Sequence, residues 1–191
     1  MGIVDATSIY TMLSDLSSKP GAYVLREAWS NAYDATKRAG KPYRPVEINI
    51  DETIADTTLA GKLFNAAGPV SKIRIQDYGC GMTRKEVETL FLQYGGSDKK
   101  DEIDSVGSKG LGAKAPLAIA DTFIVTSTKN HITTTAIIER KPGGANTARV
   151  TDKQTTLDNG TCVEIPVTDS RHLKQIHEMA NSILYMTTDV P

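Results

Sequence analysis

The chain has 191 residues, enough for one domain that buries roughly two-thirds of its unfolded surface without disulfides or metals. Lys and Arg total 22 against 23 Asp and Glu, a balance that carries no signal for nucleic acid or an anionic membrane. Two distant cysteines, Cys80 and Cys162, with no His or Cys at ligand spacing, argue against zinc and against a disulfide framework.

A reducing cytoplasm is the compartment this usage fits. No run approaches the roughly 20 apolar residues of a membrane span, and residues 1–16 lack the basic leader and apolar run of a signal peptide. Ala6 stands where myristoylation of Gly2 requires Ser or Thr.

Helical spacing of apolar residues predicts a helix over about Ser8–Leu16 and a second through Tyr23, Leu25, Ala28, Trp29, Ala32 and Ala35. Gly40, Pro42 and Pro45 end the second, and Val46, Ile48 and Ile50 alternate as in a half-buried strand. Residues 52–70 form an insertion to which no role is assigned. Lys72–Gln76 reads as a strand running into the turn at Asp77–Gly81. Thr83 and Glu86 make a capping box ahead of Val87, Leu90 and Phe91.

Tyr94–Lys114 has the composition of a loop that turns into a helix near Leu111. Four β-rich runs follow, at Thr122–Thr128, Thr133–Glu139, Thr147–Thr151 and Thr161–Val167, and a last helix spans about Ser170–Met186. Helices at both ends of consecutive strands predict a single α/β domain over 1–191: a two-layer sandwich with helices covering one face of a mixed, mostly antiparallel sheet.

Four sequence features carry chemistry. Spacings of four and three put Glu27, Asn31 and Asp34 on one face of the second helix, either solvated or lining a pocket. A carboxylate there can activate a water, and an amide oxygen can hold a hard cation. Asp77-Tyr78-Gly79-Cys80-Gly81-Met82 is a strand end entering a turn, where missing Cβ atoms let a flat ligand approach and Asp77 accept a hydrogen bond; standing alone, such a run is also an ordinary turn.

Gly107-Ser108-Lys109-Gly110-Leu111-Gly112-Ala113-Lys114 leads into a helix N-terminus that offers free amides to phosphates. It is not a P-loop, because Ala113 stands where that motif needs Lys. Finally, Thr161 opens a late strand with a hydroxyl in reach of a ligand.

In this order along the chain, from about Arg26 to Val167, the four resemble the signature of the gyrase, Hsp-ninety, histidine-kinase and MutL (GHKL) ATP-binding domains, whose fold is the Bergerat type. The resemblance implies Mg2+ and ATP as cofactors, Asn31 as the metal ligand and Glu27 as general base. It implies that Asp77 accepts the adenine amine beside Thr161, with Gly79, Gly81 and Met82 in the adenine box and Asp34 in the first box. A lid over about 95–112, with Gly107, Lys109, Gly110, Leu111, Gly112 and Lys114, then surrounds the triphosphate.

Within the family, Gly110-Leu-Gly-Ala-Lys-Ala-Pro116 followed by Ala120–Ser127 resembles the N-terminal region of rIIA-like proteins of tailed bacteriophages. The implied activity is slow ATP hydrolysis, with homodimerisation on binding ATP and a protein partner of unknown identity. The rivals are a histidine-kinase-like phosphotransferase and a module whose ATP drives partner binding or a chaperone-like cycle with little turnover.

Overall fold

A computed structural model of the chain describes residues 18–41, 44–51, 71–92, 112–141 and 146–188. The helix expected at Ser8–Leu16, the 52–70 insertion and all of the expected lid except Gly112 lie outside the described residues.

Helix α1, Pro20–Arg38, begins with proline, whose missing N–H costs nothing at a first helical position. Lys37 and Arg38 complement the dipole at its other end. Gly40 at φ 71° closes it: the Gly40 and Lys41 amides reach back to the Lys37 and Thr36 carbonyls. Strands β1 (Glu47–Asp51) and β2 (Ser71–Asp77) follow, then α2 (Arg84–Leu92). The Thr83 amide donates to Glu86 Oε2 at 2.6 Å and the Glu86 amide to Thr83 Oγ1 at 3.3 Å, so the expected capping box forms.

In place of the helix expected near Leu111 there is a 3-10 helix, Gly112–Ala118, with Pro116 inside it. Proline has no N–H to give an i−4 carbonyl, which disfavours an α-helical turn there. Strands β3 (Thr122–Lys129), β4 (Ile132–Glu139), β5 (Thr147–Gln154) and β6 (Gly160–Val167) lead to α3, Ser170–Thr188. Asn130 and His131, both at positive φ, make the tight two-residue turn between β3 and β4.

Among the described residues the sheet runs β1-β2-β6-β3-β4-β5, and every pairing is antiparallel. The expected mostly antiparallel sheet is thus found, with no parallel pair among the described residues. The last strand enters the middle of the sheet, pairing with β2 on one side and β3 on the other.

One face carries the core: Ile73 and Ile75 of β2, Ile165 of β6, Phe123 and Val125 of β3 and Ile138 of β4 are buried with Val24 and Leu25 of α1 and Ile176 of α3. Each such side chain contributes about 1.5–3 kcal/mol on burial. α1 crosses α3 closely, because Gly21 has no Cβ to strike the His172 carbonyl and its amide donates to Gln175 Oε1 at 2.9 Å.

Candidate functional site

Asp77 ends β2 on the helix-covered face, beyond Ile73 and Ile75, and is 5% exposed. Its Oδ1 accepts the Gly79 amide at 2.8 Å and the amide of Thr161, its partner across the β2–β6 pair, at 3.1 Å. Burial pushes the carboxyl up to about 6, against the two amides and the charge of Arg38, which pull it down. Both hydrogen bonds fall on one oxygen, so Oδ2 receives none from a described residue and retains its acceptor capacity.

The glycines around Asp77 have a reason the sequence did not suggest: the space a Cβ would fill belongs to the protein's own backbone. At Gly79 a Cβ would lie 2.7 Å from the Ala35 carbonyl, so this glycine lets the turn pack on α1. Gly81 has φ 65°, and a Cβ there would strike the Thr128 carbonyl. At Gly160 the obstacle is the Asp77 carbonyl. The Met82 amide is tied down by Ser127 Oγ at 2.8 Å.

Along α1, Glu27, Asn31 and Asp34 share one face as expected, with Glu27 half-buried and the other two exposed. Arg26 holds Glu27 Oε1 at 3.2 Å. A Cβ on Gly112 would lie 2.7 Å from Glu27 Oε2 and 3.8 Å from Asn31 Nδ2, so the start of the 3-10 helix faces the carboxylate and carboxamide directly. From Ala35, against Gly79, back to Glu27, against Gly112, α1 rises about 12 Å. The helix therefore links the Asp77 turn to the Gly112 backbone.

Lys114, expected among the phosphate-binding residues, packs against the end of α2. It is 1% exposed, and its ammonium donates to the Leu90 carbonyl in the last turn of α2 at 2.6 Å. Burial lowers it to about 8. The Leu90 carbonyl, at the C-terminal end of α2, takes one of the hydrogen bonds the ammonium can donate. Gly107, Lys109, Gly110 and Leu111 lie outside the described residues.

Sequence reasoning missed Ser127, which binds Met82, Thr161 and Gly160 from a fully buried position. The signal was available. Phe123 and Val125 mark the core face of a strand, and the next residue on that face is a serine.

Residues 20–164 match the family model described as histidine kinase-, DNA gyrase B- and HSP90-like ATPase. The chain belongs to this family. The GHKL ATPase fold agrees with the architecture: an antiparallel sheet with helices packed on one side. A search of curated proteins finds no match to the chain.

GHKL ATPase domains bind ATP, typically with Mg2+. The chemistry here fits a nucleotide at one end through a buried carboxylate with an uncommitted oxygen, and at the other through exposed Asn31 beside Glu27. Among the described residues no cluster of three or more His, Cys, Asp or Glu side chains could cage a metal. Mg2+ ordinarily takes most of its ligands from phosphates and water, with only one or two protein groups. Among the same residues no helix is long and apolar enough to cross a membrane.

Proposed function

We propose that this GHKL domain binds ATP with Mg2+ along α1, base at Asp77 and phosphates at Glu27 and Gly112, and hydrolyses it slowly. The observation that carries the reading is the approach of the Gly112 backbone to Glu27 Oε2 and Asn31 Nδ2 in the middle of α1, about two turns from where the Asp77 turn packs on Ala35. It sets a purine acceptor beside the C-terminal half of the helix and a water-activating carboxylate next to a metal-binding carboxamide in its middle.

Asp77 Oδ2 accepts the adenine amine, while the Gly79 and Thr161 amides hold the carboxyl in place through Oδ1. Asn31 contributes its amide oxygen to Mg2+, which supplies charge neutralisation of the triphosphate. Arg26 restrains Glu27 through Oε1, leaving Oε2 to accept a proton from water. That water forms the new bond to the γ-phosphorus, the bond from γ-phosphorus to the bridging oxygen breaks, and ADP leaves with the electron pair. Positioning and electrostatics dominate such a step, so a domain without further groups on the γ-phosphate turns over slowly.

The same reading includes kinship to rIIA-like phage proteins, supported by Gly110–Pro116 and Ala120–Ser127. It also includes a cytoplasmic setting, dimerisation on ATP binding and a protein partner. Product analysis with γ-labelled ATP tests the reaction: Mg2+-dependent release of free phosphate is expected. Label retained on the protein would instead support phosphotransfer, and ATP binding without turnover a nucleotide-gated binding module.

A further inference from the structure

Lys114 takes no part in the hydrolysis proposed above, yet this buried side chain stands two residues from Gly112, whose backbone meets Glu27 Oε2. Burying an ammonium is costly, and burial lowers this one to about 8. A methionine or leucine would fill the same space without that cost, so packing alone does not account for a lysine here. What the ammonium adds is direction: its Nζ donates to the Leu90 carbonyl at 2.6 Å.

The accepting carbonyl belongs to a fixed element. Glu86 of α2 binds Lys129 of β3 at 2.8 Å, Arg84 lies 3.4 Å from Asp152 of β5, and Phe91 packs edge-on against Phe123 with ring centres 5.8 Å apart. In the 3-10 helix Gly112–Ala118, by contrast, every side chain but Lys114 is apolar or absent, so Lys114 carries the one side chain able to make a directional bond. Ala115 and Leu117, both fully buried, hold this helix to the core through contacts that have no preferred direction. A hydrogen bond to one carbonyl fixes the register, the best-attested use of a buried polar group. Two residues of 3-10 helix rise only about 4 Å, so a slip at Lys114 reaches Gly112.

We propose that Lys114 is a positioning residue for hydrolysis: by pinning the 3-10 helix to α2 it sets Gly112 against Glu27 and so keeps Oε2 aimed at the attacking water. This rests on Glu27 being the base in the reading above. Alignment then passes from the sheet through α2 and Lys114 to a carboxylate on α1, and Lys114 does so without touching the nucleotide.

Single-turnover hydrolysis and calorimetric ATP binding at pH 7, where the ammonium is charged, test it on the whole chain with Lys114→Met, Glu27→Gln and the double variant. Lys114→Met binds ATP within about threefold of wild type and cleaves it about 10- to 100-fold more slowly. In the Glu27→Gln background the same substitution changes the rate by less than about twofold, since no base is left to misalign. Methionine fills the space of the lysine stem, and a rate per bound ATP counts only folded protein, so a variant that is merely less stable does not imitate this result. A wild-type rate in Lys114→Met, or a slowing that persists in full without Glu27, overturns the positioning role and leaves the ATP site standing. Weaker binding with an unchanged rate per bound ATP overturns it too, by making Lys114 a phosphate contact. Hydrolysis by Glu27→Gln at the wild-type rate would refute the base assignment and the positioning role together.

Discussion

Gly112 lies against the Glu27 carboxylate so closely that a single added carbon would stand 2.7 Å from Oε2. No ordinary Cβ contact is that short, and the obstacle is the end of a flexible side chain. Gly112→Ala therefore shifts the carboxylate rather than the fold. Turnover falls by about 100-fold, the cost of a misplaced catalytic group, while thermal stability stays within about 1 kcal/mol of wild type. Phosphate release and thermal melts on the same samples check this; unchanged turnover contradicts the assigned place of Glu27.

Glu27→Gln keeps the shape of the side chain and removes its capacity as a base. Hydrolysis drops by about 100- to 10,000-fold while ATP affinity changes by less than about threefold. Loss of both in parallel would make Glu27 a binding group.

Much of the fold was legible in the sequence because it is written locally. Alternation at Val46–Ile50, Lys72–Gln76 and the four later runs, and the Thr83–Glu86 box, each follow from neighbours a few residues apart. Strand order was not legible: nothing within β6 says that it inserts between β2 and β3, although that insertion puts Thr161 beside both Asp77 and Ser127. The candidate site divides the same way. Glu27 and Asn31 follow from helical spacing, whereas the burial of Lys114 depends on the distant Leu90 carbonyl, and the Gly79 contact depends on Ala35.

Asp77→Asn retains an oxygen for the Gly79 and Thr161 amides but has no charge to bury. With its folded pKa about 6 against an ordinary 3.8, native Asp77 holds its proton more tightly than the unfolded chain does. Its contribution to stability is fully present below about pH 4 and is lost as pH rises through 6. The asparagine variant is thus more stable than wild type at pH 7.5, by up to about 3 kcal/mol, and the difference vanishes near pH 4. Denaturant melts across that range read the slope directly; parallel curves would contradict the burial of an ionisable carboxyl.

For Lys114 the sign is opposite. Its folded pKa of about 8 lies below the ordinary 10.5, so wild-type stability rises as pH climbs from about 8 to 10.5. Lys114→Met abolishes that rise and changes ATP affinity by less than about threefold, because the ammonium is held by Leu90 and not by phosphate. A large loss of ATP affinity with an unaltered pH profile would return Lys114 to the phosphate site.

The central claim is that Asp77 is the base-recognising end of an ATP site laid along α1. Calorimetric titration of Mg2+-ATP into wild type, Glu27→Gln and Asp77→Asn tests it most directly. The account predicts comparable binding to the first two and a loss of at least about 100-fold in the third, as expected where a site's hydrogen-bond acceptor is replaced by a donor. Binding of ATP to Asp77→Asn with wild-type affinity would contradict it.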